Sequence, residues 1–260
     1  KSYPTRRSSD LDEVVLRLWD LQWPRLRRSF RFCTLTTRDR SQEGALFDLQ
    51  FCGESVSRLR FIHNTEGVEA ASMSAGRWLA QLVDYAGRTD ASEFREVLRL
   101  LGTDVLGGRE AMRAICELQA TLARRELIAV ADAIALVTVP ATLSGSKAAK
   151  EMVATRALSW ADVLNDSELH YVVDNLDLVA AGELIEHGGK LAGHLLAVAP
   201  GTLVKLVEDE RPAVQAAMRA AVKELDAALL VDNLMPGTNW WPPLLSIRPD
   251  LAEKSEFWRR

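Results

Sequence analysis

Apolar residues recur at helical spacing along most of this chain. In SDLDEVVLRLWD (residues 9–20) they occupy positions 11, 14, 15, 18 and 19. Asp10, Asp12 and Glu13 crowd the start behind Ser9, a residue type that caps helix N-termini. That combination predicts an amphipathic helix. Pro24 suits the first turn of a second, shorter one, PRLRRSF. The period then changes. FRFCTLTT (30–37) and ALFDLQFC (45–52) alternate apolar with polar residues, and RDRSQEG between them has turn composition. This predicts a β-hairpin over about residues 30–52. Two strands alone are marginal in water, so the hairpin is expected to pack on helices or join another sheet.

Beyond residue 72 the helical period returns. SAGRWLAQLVDYAG starts at a serine cap, and ASEFREVLRLLG ends at a glycine, a common helix stop. GREAMRAICELQATLARRELIAVADAIALV is long enough for one extended helix or two broken ones. VPATLSGS (139–146) has the composition of a linker. It divides an N-terminal part, 1–138, from a C-terminal helical part, 147–260. After it come short apolar-periodic segments separated by Gly or Pro, including WADVLN, ELIEHG and KLAGHLLAVA, and the last stretch, GTNWWPPLLSIRPDLAEKSEFWRR, is expected to wrap back on the bundle. No repeat of fixed period occurs. The fold expected is mainly α: an irregular bundle or HEAT-like stack of helix pairs, with a small N-terminal hairpin.

Composition narrows the classes. The 260 residues carry a net charge of −4, so nucleic acid or anionic membrane would have to be met by a local patch. The three cysteines, Cys33, Cys52 and Cys116, are odd in number and far apart, which points to a reducing compartment, the cytoplasm, rather than a disulfide framework. No run approaches 18 apolar residues, so no membrane span is expected. The first residue is Lys1, which reads as a piece of a longer protein.

The densest chemistry is WPRLRRSFRFCTLTTRDRS. Arg25, Arg27, Arg28, Arg31, Arg38 and Arg40, with Trp23, would form one basic surface if helix and hairpin are neighbours. Guanidinium groups there could neutralise phosphates while Trp23 or Phe30 stacks on bases. They could equally pair with acids on this chain or on a partner domain, and no nucleic-acid-binding motif is present. The protein-binding reading is preferred; a nucleic-acid-sensing module using residues 25–40 is the alternative. Cys33, Cys52 and His63 could supply a thiol and an imidazole, but no catalytic signature surrounds them, and cysteines in apolar strands behave as small hydrophobes. Glu183, His187 and His194 could hold zinc. Their spacing matches no metalloenzyme pattern, and Gly188 reads as a helix stop after His187. LGGRE and SGSK fall short of any phosphate-loop motif. No catalytic, cofactor-binding or metal-binding residue is therefore expected, and no cofactor. Trp240, Trp241 and Trp258 read as anchors of the C-terminal segment rather than as a docking surface.

Trp23, Pro24, Leu26, Arg27, Phe30, Phe32, Cys33 and Thr34, followed by Phe47, Asp48, Leu49 and Gln50, form the pattern W-P-x-L-R-x-x-F-x-F-C-T and F-D-L-Q. The segment 19–50 resembles one in the large GTPase-associated proteins of bacterial conflict systems. That resemblance covers about thirty residues, roughly one-eighth of the chain, and is structural in kind. It implies a scaffold within a multidomain bacterial defence protein, with a GTPase or effector among its partners, and it carries over no active-site residue. The function expected is a non-catalytic scaffold or protein-interaction domain.

Overall fold

The computed structural model describes residues 8–22, 24–36, 49–52, 84–85, 92–105, 107, 110–139, 141–233 and 240–253. The chain forms two compact units. One comprises Lys1–Ala123 with Pro140–Ser146, the other Arg124–Val139 with Lys147–Arg260.

The first unit contains α1 (Ser8–Asp20), α2 (Pro24–Ser29), β1 (Phe32–Thr36), β2 (Leu49–Cys52), α3 (Ser92–Asp104) and α4 (Glu110–Leu122). The short helix α6 (Ala141–Ser144) also belongs to it, while α5 (Ile128–Thr138) lies in the second unit. Val15, Leu21 and Leu26 are buried at the α1–α2 corner. Phe94, Leu98 and Leu101 of α3 and Ile115 and Leu118 of α4 are almost fully withdrawn from water. Each such side chain contributes about 2 kcal/mol of hydrophobic stabilisation. Phe94 also stacks on Tyr85, with centroids 4.1 Å apart. Contrary to the glycine stop expected at Gly102, α3 continues to Asp104. The break before α4 comes instead at Gly107, whose φ of +115° is open to glycine and strained for other residues.

The strands correct the expected hairpin. β1 and β2 pair in parallel, with Phe32 opposite Leu49, Cys33 opposite Gln50 and Thr36 opposite Cys52. Parallel neighbours cannot be joined by a tight turn and need a crossover of about a dozen residues. The proposed turn, 38–44, lies outside the described residues. The segment 139–146, expected as a linker, contains α6, and Leu143 within it is fully buried. Ser146 Oγ donates to Asp104 Oδ2 at 3.0 Å, closing α6 onto α3. The chain passes between the units at both edges of this segment, at 139/140 and 146/147, and once more at 123/124.

The second unit is an irregular α-helical bundle. It consists of α5, α7 (Lys147–Leu158), α8 (Asp166–Asp174), a 3₁₀ turn (Leu176–Leu178), α9 (Ala181–Val198), α10 (Pro200–Val207), α11 (Pro212–Glu224), α12 (Ala227–Asn233), α13 (Trp241–Ile247) and a final 3₁₀ turn (Pro249–Glu253). Leu158, Leu176, Leu184, Leu191, Leu195 and Met218 form its core. The start of α8 is a capping box. Asn165 Oδ1 accepts from the backbone of Ser167 and Glu168, and Glu168 Oε2 accepts from the Asn165 amide at 3.0 Å.

Here too a predicted helix stop is overridden. α9 runs unbroken through Gly188 and Gly189 to Val198. Gly188 is buried against α11, where a Cβ would stand 3.3 Å from Met218 Cε. Packing against α11 offsets the low helix propensity of glycine. At the far end of α11, the Arg248 guanidinium donates to the carbonyls of Val222, Lys223 and Leu225, at 3.3, 3.0 and 2.7 Å. Its other edge pairs with Asp250 at 2.8 Å. The C-terminal segment is thereby fastened to acceptors that the helix itself cannot satisfy. No helix among the described residues is long and apolar enough to cross a membrane.

Candidate functional site

The second unit carries an open groove of about 460 Å³, lined by Arg125, Arg156, Ser159, Trp160, Asp162, Val163 and Lys190. Three segments supply its cations. Arg125 lies in the connection before α5, Arg156 in the last turn of α7, and Lys190 midway along α9. Its floor is the run of turns that follows α7. The Trp160 amide donates to Ala157 O at 2.9 Å and the Val163 amide to Trp160 O at 3.0 Å, while Ser159 Oγ donates to Arg156 O at 2.7 Å. Ala161 and Leu164 are buried beneath, and His194 Nε2–H donates to Leu164 O at 2.9 Å. This fixes the turns from below and leaves Trp160 half-buried and Val163 exposed at the groove wall.

The electrostatics of the groove are one-sided. Arg156 Nη2 donates to Arg124 O at 3.1 Å, and Lys190 Nζ lies 3.5 Å from Ser159 O. Those carbonyls hold the two cations in place without neutralising them. Among the described residues, none of Arg125, Arg156 and Lys190 has a carboxylate within ion-pair distance. A guanidinium has five N–H donors, so most of those on Arg156 remain available. With Asp162 the only acid in the lining, two positive charges are in excess. The arrangement suits anionic groups beside an apolar surface, and its one hydroxyl, on Ser159, is committed to a backbone carbonyl.

The arginine surface expected at residues 23–40 is divided. Trp23, Arg38 and Arg40 lie outside the described residues, as does the side chain of Arg25, although its backbone is in α2. Arg28 and Arg31 are exposed. Arg27 turns inward. Its Nη2 donates to Asp20 O at 2.7 Å and Asp20 Oδ1 at 3.1 Å, and its guanidinium lies 4.6 Å from the centre of the Trp19 ring. Asp20 also pairs with Arg95 Nε of α3 at 2.9 Å. Arg27 thus locks the α1–α2 corner, an assignment its neighbours' exposure does not share.

Cys33 and Cys52 are not register partners, and His63 lies outside the described residues. Cys116 is fully buried, and burial, with a smaller contribution from Glu117, pushes its thiol up to about 12. Glu183 and His187 come within 3.6 Å of each other, and Glu186 within 4.0 Å of the same imidazole. Glu183 and His187, four apart, meet on any helix, Glu186 is the chain neighbour of His187, and His194 is engaged with Leu164 O instead of joining them. Sequence reasoning missed the groove. Its one local signal is Trp160, next to Ser159 and two residues before Asp162, in a stretch expected to be helical and found to be turns.

Fold and groove together define an α-helical protein whose second unit presents a basic, tryptophan-walled recess. No family model matches the chain, and no curated protein and no solved structure is significantly similar to it.

Proposed function

We propose that this chain is a non-catalytic scaffold, a protein-interaction domain of a larger bacterial protein working in the cytoplasm. One observation carries the reading. Arg125, Arg156 and Lys190, drawn from three separate segments, line one open groove beside Trp160 with no described carboxylate pairing them. Arginine and tryptophan are the residue types that dominate binding energy at protein interfaces. Complementary charge steers encounter and sets register there. Arg28 and Arg31 add exposed positive charge in the first unit. The resemblance at residues 19–50 makes a GTPase or effector of a bacterial defence system the first partner to try.

The test is co-expression of the whole reading frame with the products of the genes flanking it, followed by size-exclusion chromatography with light scattering. A complex of defined stoichiometry is the expected result. Elution of the protein alone in every pairing would sink the proposal.

A further inference from the structure

We infer that the groove between α7 and α9 is the docking site for an acidic peptide segment of the partner. In this mode the peptide's carboxylates pair with Arg125, Arg156 and Lys190, and a flanking apolar side chain rests on Trp160 and Val163. The inference rests on the interaction reading above and names the chemistry that the groove selects.

Charge is the first ground. Three cations against one carboxylate leave the recess positive on a chain whose net charge is −4. That contrast localises attraction to this recess instead of spreading it over the surface. Arginine's planar fork matches a carboxylate with two parallel hydrogen bonds. The wall is the second ground. Trp160 is half-buried and Val163 is 49% exposed, so an apolar ledge lies beside the cations, which suits a segment mixing acids with a large apolar residue. Preorganisation is the third. Ala161 and Leu164 anchor the turns from below, His194 holds the Leu164 carbonyl, and the carbonyls of Arg124 and Ser159 position Arg156 and Lys190. The turns and Arg156 are thereby ordered before binding, which lowers its entropic cost. Asp162 decides against a nucleic-acid strand. A carboxylate within the lining would repel a continuous run of phosphates, whereas a peptide can present it a backbone N–H or a lysine.

The experiment titrates the full chain into a fluorescein-labelled, glutamate-rich peptide with a central leucine and reads anisotropy at low and at physiological salt. Arg125→Glu combined with Lys190→Glu alters two exposed side chains and should weaken binding about tenfold or more. Lys205→Glu, on exposed α10 surface, should leave it unchanged. Replacing the peptide's leucine by serine should weaken it severalfold, and affinity should fall as salt rises. Three results would overturn the inference: no saturable binding, equal losses from Lys205→Glu and the groove variant, or a single-stranded oligonucleotide binding more tightly at the same residues. If the co-expressed complex forms and is indifferent to the groove variant, the interaction reading stands and this assignment of its site fails.

Discussion

Gly188 of α9 lies so close to Met218 of α11 that a Cβ at 188 would stand 3.3 Å from Met218 Cε, and 3.7 Å from both Ala217 O and Ala221 Cβ. The nearest atom is the end of a flexible side chain, which can yield a few tenths of an ångström. Gly188→Ala should therefore change stability by no more than about 0.5 kcal/mol, the helix-propensity gain offsetting the displaced methionine. Gly188→Leu should cost about 2–3 kcal/mol by overpacking. Gly189, one residue on, has open space where its Cβ would be, so Gly189→Ala should stabilise by about 0.5–1 kcal/mol. Urea unfolding followed by circular dichroism measures all three. A large loss in Gly189→Ala would contradict the helix packing.

Arg27 and Arg28 are adjacent, and their contributions should differ. Arg27→Ala removes the bonds to Asp20 and Gln22 and the contact with Trp19. Because the site is partly solvated, the cost should be modest, about 1–1.5 kcal/mol. Arg28→Ala, at an exposed position, should stay within about 0.5 kcal/mol of the parent. Equal effects in thermal or urea unfolding would refute an inward role for Arg27.

Asp209 gives stability a pH dependence of known sign. Hydrogen bonding to the Arg211 side chain, at 2.7 Å to each carboxylate oxygen, holds its carboxyl below the usual aspartate range. The folded state then binds this proton less readily than the unfolded state. The stabilisation is complete above the unfolded value of about 3.9 and disappears as pH falls through the lower folded value. The stability difference between the parent and Asp209→Asn should be flat from about pH 7 to pH 5 and shrink below about pH 4. A difference that grew on acidification would reverse the assignment.

Cys116 should be inert in the folded protein. Its side chain is fully buried and its thiol is pushed up to about 12, so at pH 8 almost no thiolate exists to react. In a Cys33→Ser, Cys52→Ser background, a disulfide reagent should label it only as fast as the chain opens, and increasingly fast with urea. Immediate labelling without denaturant would show a reactive thiol.

Helical periodicity was readable along α1 and α3, where Val15, Phe94, Leu98 and Leu101 are buried. Positions 11, 14, 15, 18 and 19 correspond to α1, and the RREL break between α4 and α5 separates two helices as its composition allowed. Direction of strand pairing was not readable, because alternation at 32–36 and 49–52 is the same for parallel and antiparallel neighbours. Gly102 and Gly188 misled for another reason. Local propensity marks glycine as a stop, and tertiary packing outweighs it where a helix is held along its length. The groove was hidden by distance in sequence. Arg125, Arg156 and Lys190 share no motif, and only the stacking of α7 on α9 brings them together. The arginine-rich stretch at 25–31 was conspicuous, but adjacency in sequence does not say which way each side chain turns. On a helix, neighbours point about 100° apart.

The chain leaves the first unit after Ala123, returns for Pro140–Ser146, and departs again. Neither body is therefore a contiguous stretch of polypeptide. An expression clone starting at Lys147 would deprive the bundle of α5 and of Arg125, and with them one side of the recess. A clone ending at Ala123 would leave α4 without the Leu143 plug that α6 supplies. During synthesis the first body must wait for residue 146 to emerge before it can close, by which time α5 is already made.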